Sequence, residues 1–174
     1  MKKSLRPENT SPARYIAVMG MLFAVSAVLN WVESLFSAFL PAGLRIGLAN
    51  IVVMAAILSI NLPSAFLLTI LKAAFVLLTR GATAGMMSFC GGLAAFAVTA
   101  LLFRKTKASY ILISVCGALA HTAGQLVAAR LITGTGAVFA YGAVLGASSL
   151  AAGICTGIVL KAVFPKLRQV LKSA

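Results

Sequence analysis

Residues 83–132 read TAGMMSFCGGLAAFAVTALLF-RKTK-ASYILISVCGALAHTAGQLVAARLI, two apolar runs of about twenty residues or more on either side of the basic break Arg104, Lys105, Lys107. About 20 consecutive apolar residues at 1.5 Å each match the roughly 30 Å hydrocarbon layer of a bilayer. The stretch therefore reads as two membrane-spanning helices joined by a short polar hairpin. The rest of the chain repeats the pattern. Of 174 residues, 61% are hydrophobic and 10% charged, with a mean hydropathy of +1.07, too apolar for one water-soluble core. Further apolar runs cover about 15–40, 44–62, 63–79 and 137–164. The breaks between runs hold Pro41, Asn61 with Pro63, Arg80 with Gly81, and the run from Thr133 to Gly136. The expected fold is an all-α integral membrane protein of six transmembrane helices. It forms one membrane domain over 1–174 with basic tails at 1–14 and 165–174. The basic residues before the first run resemble the start of a signal peptide, but that run is too long and carries Asn30 and Glu33, so a retained helix is expected.

Charge supports the count. Lys2, Lys3, Arg6, Arg14, then Arg104, Lys105, Lys107, then Lys161, Lys166, Arg168, Lys172 all fall on one side if the spans number six, and that side is cytoplasmic by the positive-inside rule. Both termini then lie in the cytoplasm, with Arg45, Arg80 and Arg130 at the outer ends and Lys72 within the third span. The 15 Lys and Arg face only two acids, Glu8 and Glu33, and the formal net charge is +13. Two separated glutamates cannot build the carboxylate cluster that holds Mg²⁺ in prenyl or phosphoryl transfer, so no enzyme is expected. Cys90, Cys116 and Cys155 lie in apolar runs without a CxxC, and a single histidine makes a metal site unexpected. No Walker motif is present, and no cofactor is expected. Nor is nucleic acid a partner, because the positive charge is distributed by topology.

Small residues recur at helical spacing where membrane helices need close contact. Ala13, Ala17, Gly20, Ala24 and Ala27 form such a ridge in span one, Gly85, Ser88, Gly92, Ala95 and Thr99 in span four, and Gly142, Gly146, Ser149, Gly153 and Gly157 in span six. Internal packing accounts for the last two; in span one, packing and a partner protein are equal alternatives.

Ionisable groups inside spans are costly unless they face a cavity or one another. Glu33, Lys72 and His121 are the candidates, with Asn50 one turn inside Arg45 and Gln125 one turn from His121 on the same face. With Arg80 and Arg130 they can form a positively charged pocket open to the outside, suited to a carboxylate or phosphate. The alternative is structural: arginines that snorkel, a Glu33–Lys72 ion pair, and His121 and Gln125 bonding across helices. Trp31 and Tyr141 suit an interfacial belt at least as well as a stacking platform.

Three segments carry a family resemblance: RIGLANIV from Arg45, FCGGL from Phe89, and GALAHTAGQL from Gly117. They resemble the Gx transporter family, also labelled heptaprenyl diphosphate synthase component I, which is similar to the S components of energy-coupling factor (ECF) transporters. Arg45 stands where that family usually has Lys, Lys72 where it has Arg, and Thr122 where it has Asn; the first two keep the charge but change the hydrogen-bonding geometry. The resemblance implies a subunit in a bacterial plasma membrane that captures a small micronutrient- or cofactor-like ligand from outside. It docks on a T component energised by two ATPases, with Ala13 and Ala17 matching the AxxxA docking pattern and Gly20 and Ala24 continuing it. The alternative reading is a noncatalytic membrane subunit associated with polyprenyl diphosphate synthesis.

Overall fold

The computed structural model describes residues 11–37 and 47–173. Six α-helices follow one another: α1 Pro12–Ser37, α2 Ala49–Ser59, α3 Leu62–Arg80, α4 Ala82–Lys105, α5 Tyr110–Thr133 and α6 Gly142–Ser173, with a 3-10 turn at Gly136–Tyr141 before the last. Among the described residues there is no strand. Five of the helices are long and apolar enough to cross a membrane, so the chain is a multi-pass helical membrane protein. Their boundaries are local in origin. The Asn61 side chain accepts from the Ser64 N–H at 2.8 Å to start α3, with Pro63 in the first turn where its missing N–H costs nothing. Ser109 opens α5 in the same way through the Leu112 N–H at 3.2 Å. Gly81 at φ 87° makes the turn from α3 to α4, and Gly134 at φ 71° ends α5 in the left-handed conformation, both open to glycine.

The second helix differs from expectation. Instead of a span over 44–62, α2 has 11 residues, about 16 Å of axial rise and half the hydrocarbon layer. Its apolar run is long enough, but Gly47 adopts φ 75°, outside the helical region, and the helix starts beyond it. The direction of the chain is unaffected. Tyr15 near the start of α1 bonds to Ser64 at the start of α3 (2.8 Å), so α1 and α3 run parallel, and α2 returns between them. Asn50, in the first turn of α2, meets Lys72 near the middle of α3, which places the start of α2 at mid-depth. The sixth span also differs: its first residues form the 3-10 turn, and the α-helix begins at Gly142 and runs on to Ser173.

α4 packs extensively on both α3 and α5, and α5 on α6, while α1 sits at the edge with its main contacts to α2 and α3. The core near the Pro12 end of the bundle joins Met19 and Leu22 of α1, Val53, Ala56 and Ile57 of α2, and Leu68 of α3. A second cluster links Met54 and Ala55 to Ile113 and Leu160. Leu78, Leu131, Met21 and other large apolar side chains are exposed around the outside, as expected where the solvent is lipid.

The small-residue ridges separate into two kinds. Gly85, Ser88, Gly92, Ala95 and Thr99 of α4 are all buried, and an added Cβ at Gly85 or Gly92 would meet Leu77 or Thr69 of α3. Gly153 and Gly157 of α6 press on the backbone of α5 at Val115 and Ile111, each 2.7 Å from a Cβ placed there. Ala13, Ala17, Gly20 and Ala24 of α1 are instead exposed, and nothing lies within 4 Å of a Cβ at Gly20. The opposite face of α1, Met19, Leu22, Ser26, Asn30 and Glu33, is buried.

The closest approach belongs to α4 and α5, where a Cβ on Gly124 would lie 2.6 Å from the Cys90 carbonyl oxygen and 2.9 Å from Gly91 Cα. Gly124→Val should force these helices apart and lower the unfolding free energy by about 1–3 kcal/mol, the range for overpacked interiors. Gly146→Ala, where an added Cβ meets nothing within 4 Å, should not lower it. Thermal unfolding of both variants in detergent checks the pair.

Candidate ligand-binding site

The buried face of α1 changes character along its length, from Met19 and Leu22 to Asn30 and Glu33 at the end away from Pro12. There it meets the start of α2 and the second half of α3. Glu33 Oε1 accepts from the Gly47 N–H at 2.7 Å, so the carboxylate sits where the helix leaves backbone donors unpaired and its dipole is positive. Lys72, buried on α3, donates through Nζ to Asn50 Oδ1 at 2.5 Å. Arg80, at the end of α3, donates through Nη2 to the Asn30 carbonyl at 2.9 Å. Three helices are thus tied together by polar contacts, each with a formal charge on one side, in a layer where unsatisfied polar groups are expensive.

Two adjoining cavities open on this layer. The outer one, about 280 Å³ of empty space, is lined by Asn30, Glu33, Arg80 and Ser88 among others. The inner one, about 570 Å³ when the open space at its mouth is counted, runs between α2, α3, α4, α5 and α6 and is lined by small residues such as Gly92, Ala95 and Gly117, with Phe96 and several hydroxyls. Gly47, Asn50, Lys72 and His121 line both. Two cations, Lys72 and Arg80, and one carboxylate, Glu33, line the outer cavity, and the first turn of α2 faces the same space. The arrangement can hold an anionic group by charge-assisted hydrogen bonds where the two cavities meet. Among the described residues no group of three His, Cys, Asp or Glu is placed to hold a metal.

Of the residues singled out in the sequence, Glu33, Asn50, Lys72, Arg80 and His121 come together here. Arg45 lies outside the described residues. Gln125 is buried one turn beyond His121 but lines neither cavity; it lies against α4, where a Cβ on Gly91 would be 2.8 Å from its Cγ, and its Nε2 has no hydrogen-bond partner among the described residues. The close approach of α4 to α5 at Gly91 and Gly124 closes the space at that depth. Arg130 is exposed and lines neither cavity, and Trp31 and Tyr141 are exposed as well. Several lining residues escaped the sequence reading: Asn30, Gly47, Ser88, and the hydroxyls of Thr69, Ser114, Ser149 and Thr156. A signal existed for some of them, since Thr69 lies three positions before Lys72, and Ser114, Gly117 and His121 share one face of α5.

The model of the heptaprenyl diphosphate synthase component I family matches residues 22–163. The chain belongs to that family. The match takes in both cavities and every described residue named above as lining them, while Ala13, Ala17 and Gly20 of the α1 ridge precede it. Neither curated proteins nor solved structures give a significant match.

Within this family member, the Glu33 contact separates hydrogen bonding from charge. Glu33→Gln keeps an acceptor for the Gly47 N–H and should cost little stability. Glu33→Leu strands that donor and should cost about 1–3 kcal/mol, read as the difference in melting temperature between the two variants.

Proposed function

We propose that this protein is a noncatalytic membrane subunit that captures a small anionic ligand, acting as the S component of an ECF-type transporter. The observation that carries the reading is the pair of adjoining cavities meeting at Lys72, Asn50 and the start of α2, with Arg80 beside them. By the distribution of Lys and Arg, the end of the bundle with Arg104, Lys105 and Lys107 faces the cytoplasm, and the outer cavity faces the other side, where a nutrient would arrive. The chain carries no ATPase motif, so transport draws its energy from a partner, a T component with two ATPases. The exposed ridge Ala13, Ala17, Gly20 and Ala24 gives such a partner a face of close backbone access.

The family description supports a second reading, a membrane partner of a polyprenyl diphosphate synthase. With Glu8 and Glu33 as its only acids, this chain would contribute no Mg²⁺-binding cluster to such a complex, so its role there would be to hold substrate or product. Gentle purification from the native membrane separates the two. Co-purifying ATPases and a small bound anion, identified by native mass spectrometry, support capture; an aspartate-rich soluble synthase or a long isoprenoid diphosphate supports the second reading.

Lys72→Gln or Arg80→Gln should weaken binding of a phosphate monoester more than tenfold, or about 1.4 kcal/mol, in calorimetric titration; unchanged affinity rejects the anion seat. Ala17→Leu should abolish co-purification of the T component while leaving that affinity intact, and loss of both or of neither counts against the assigned docking face.

A further inference from the structure

Five of the hydroxyls that line the inner cavity, those of Thr69, Ser114, Thr122, Ser149 and Thr156, have their protons already spoken for, and that restricts what can lie against them. A serine or threonine hydroxyl has one proton to donate and two lone pairs with which to accept. Thr69 Oγ1 lies 2.8 Å from the Ala65 carbonyl oxygen, Thr156 Oγ1 2.9 Å from that of Ala152, and Ser149 Oγ 2.7 Å from that of Leu145. A carbonyl oxygen has no proton, so the hydroxyl is the donor in each, the back-bonding usual for these residues inside helices. The direction of two bonds between α5 and α6 follows. Ser114 Oγ is 2.8 Å from Thr156 Oγ1, whose proton is committed, so Ser114 donates. Thr122 is bonded to Ser149 and donates for the same reason. All of these residues line the cavity, and what they retain for an occupant is lone pairs.

We infer that the ligand of this site is an anion whose other end carries hydrogen-bond donors, an amine, amide or N–H heterocycle. This rests on the capture reading, because it takes Lys72 and Arg80 to seat the anionic group. An apolar tail would leave the remaining lone pairs of these oxygens unused, and a tail of acceptors would set lone pair against lone pair. A donor-bearing tail satisfies them. The spacing suits a compact molecule, since Thr69 precedes Lys72 by three residues, about 4.5 Å along the α3 axis. The same chemistry sets the ligand apart from an isoprenoid diphosphate, whose hydrocarbon chain offers these oxygens nothing.

The test uses the full chain in lipid nanodiscs and calorimetric titration with three probes: 4-aminobutyl phosphate, butyl phosphate and geranyl diphosphate. The aminobutyl ester should bind at least tenfold tighter than the butyl ester. Thr69→Val should cut that ratio to less than about a third of its value, because the ammonium group loses an acceptor. The Thr69 hydroxyl bonds to the Ala65 carbonyl within α3, so valine retains the shape of the helix surface; Thr122→Val provides a second variant on α5, and butyl phosphate binding verifies that each variant is folded. Equal affinities for the two esters overturn the inference and leave anion capture standing, as does a preference that survives both substitutions. Tightest binding of geranyl diphosphate overturns it in favour of the synthase-partner reading. Failure of all three probes to bind overturns anion capture itself, and the inference with it.

Discussion

A buried ammonium group near the middle of a membrane helix needs a polar partner at its own depth, and much of this structure is arranged around that need. Lys72 finds it in Asn50, which requires the first turn of α2 to lie level with the middle of α3. A full-length second span in the same place would carry backbone already bonded to itself. By starting at Ala49, α2 instead brings a helix N-terminus to mid-depth, with its positive end directed at the same space as Lys72. Glu33 answers both through its contact with the Gly47 N–H, and Arg80 anchors α1 to α3 through the Asn30 carbonyl.

The cavities follow from that arrangement. Because α2 fills only the half of the layer near the Pro12 end, the opposite half between α1, α3 and α4 is left for the outer cavity. Further in, the faces of α4 and α5 are built of Gly92, Ala95, Gly117 and Ala118, side chains too small to fill the space that larger residues would occupy. The glycines that bring α4 against α5, Gly91 of α4 and Gly124 of α5, instead leave the two helices in contact beside His121 and Gln125. One set of small residues therefore makes room while another excludes it; Gly91 and Gly92 differ by rotation about the α4 axis, Gly117 and Gly124 by depth along α5.

This explains how far the sequence could be read. The long spans α3, α4 and α5 are legible to within one or two residues because hydropathy and the Asn61, Ser109 and Gly134 end signals are local. Span two is not, since a count of apolar residues measures composition and not axial rise, and Gly47 inside an apolar run looks like any packing glycine until its φ is known. Glu33, Lys72 and His121 stand out in the sequence because charge at membrane depth is rare. The hydroxyls do not, because a serine or threonine that bonds its own helix is unremarkable in isolation; Ser114 with Thr156 and Thr122 with Ser149 gain meaning only from the packing of α5 on α6. Gln125 shares a face with His121 and both lie against Gly91 of α4, yet only His121 lines the cavities.

The same distinction between helix faces applies to α1. Its small residues turn outward at Ala13, Ala17, Gly20 and Ala24, while Asn30 and Glu33 turn inward to line the outer cavity. In lipid there is little hydrophobic gain in covering an apolar face, so a ridge of small residues is favoured by close packing against another helix and by little else. On α4 and α6 such ridges have that helix within the bundle; on α1 the described neighbours, α2 and α3, lie on the other side. The residues that hold the start of α2 and the residues that face away from the bundle thus belong to one rigid element about 26 residues long. A partner packed on its outer face would bear on the same helix that supports the cation-lined cavity, which is the geometry a capture subunit needs if loading and docking are to be linked.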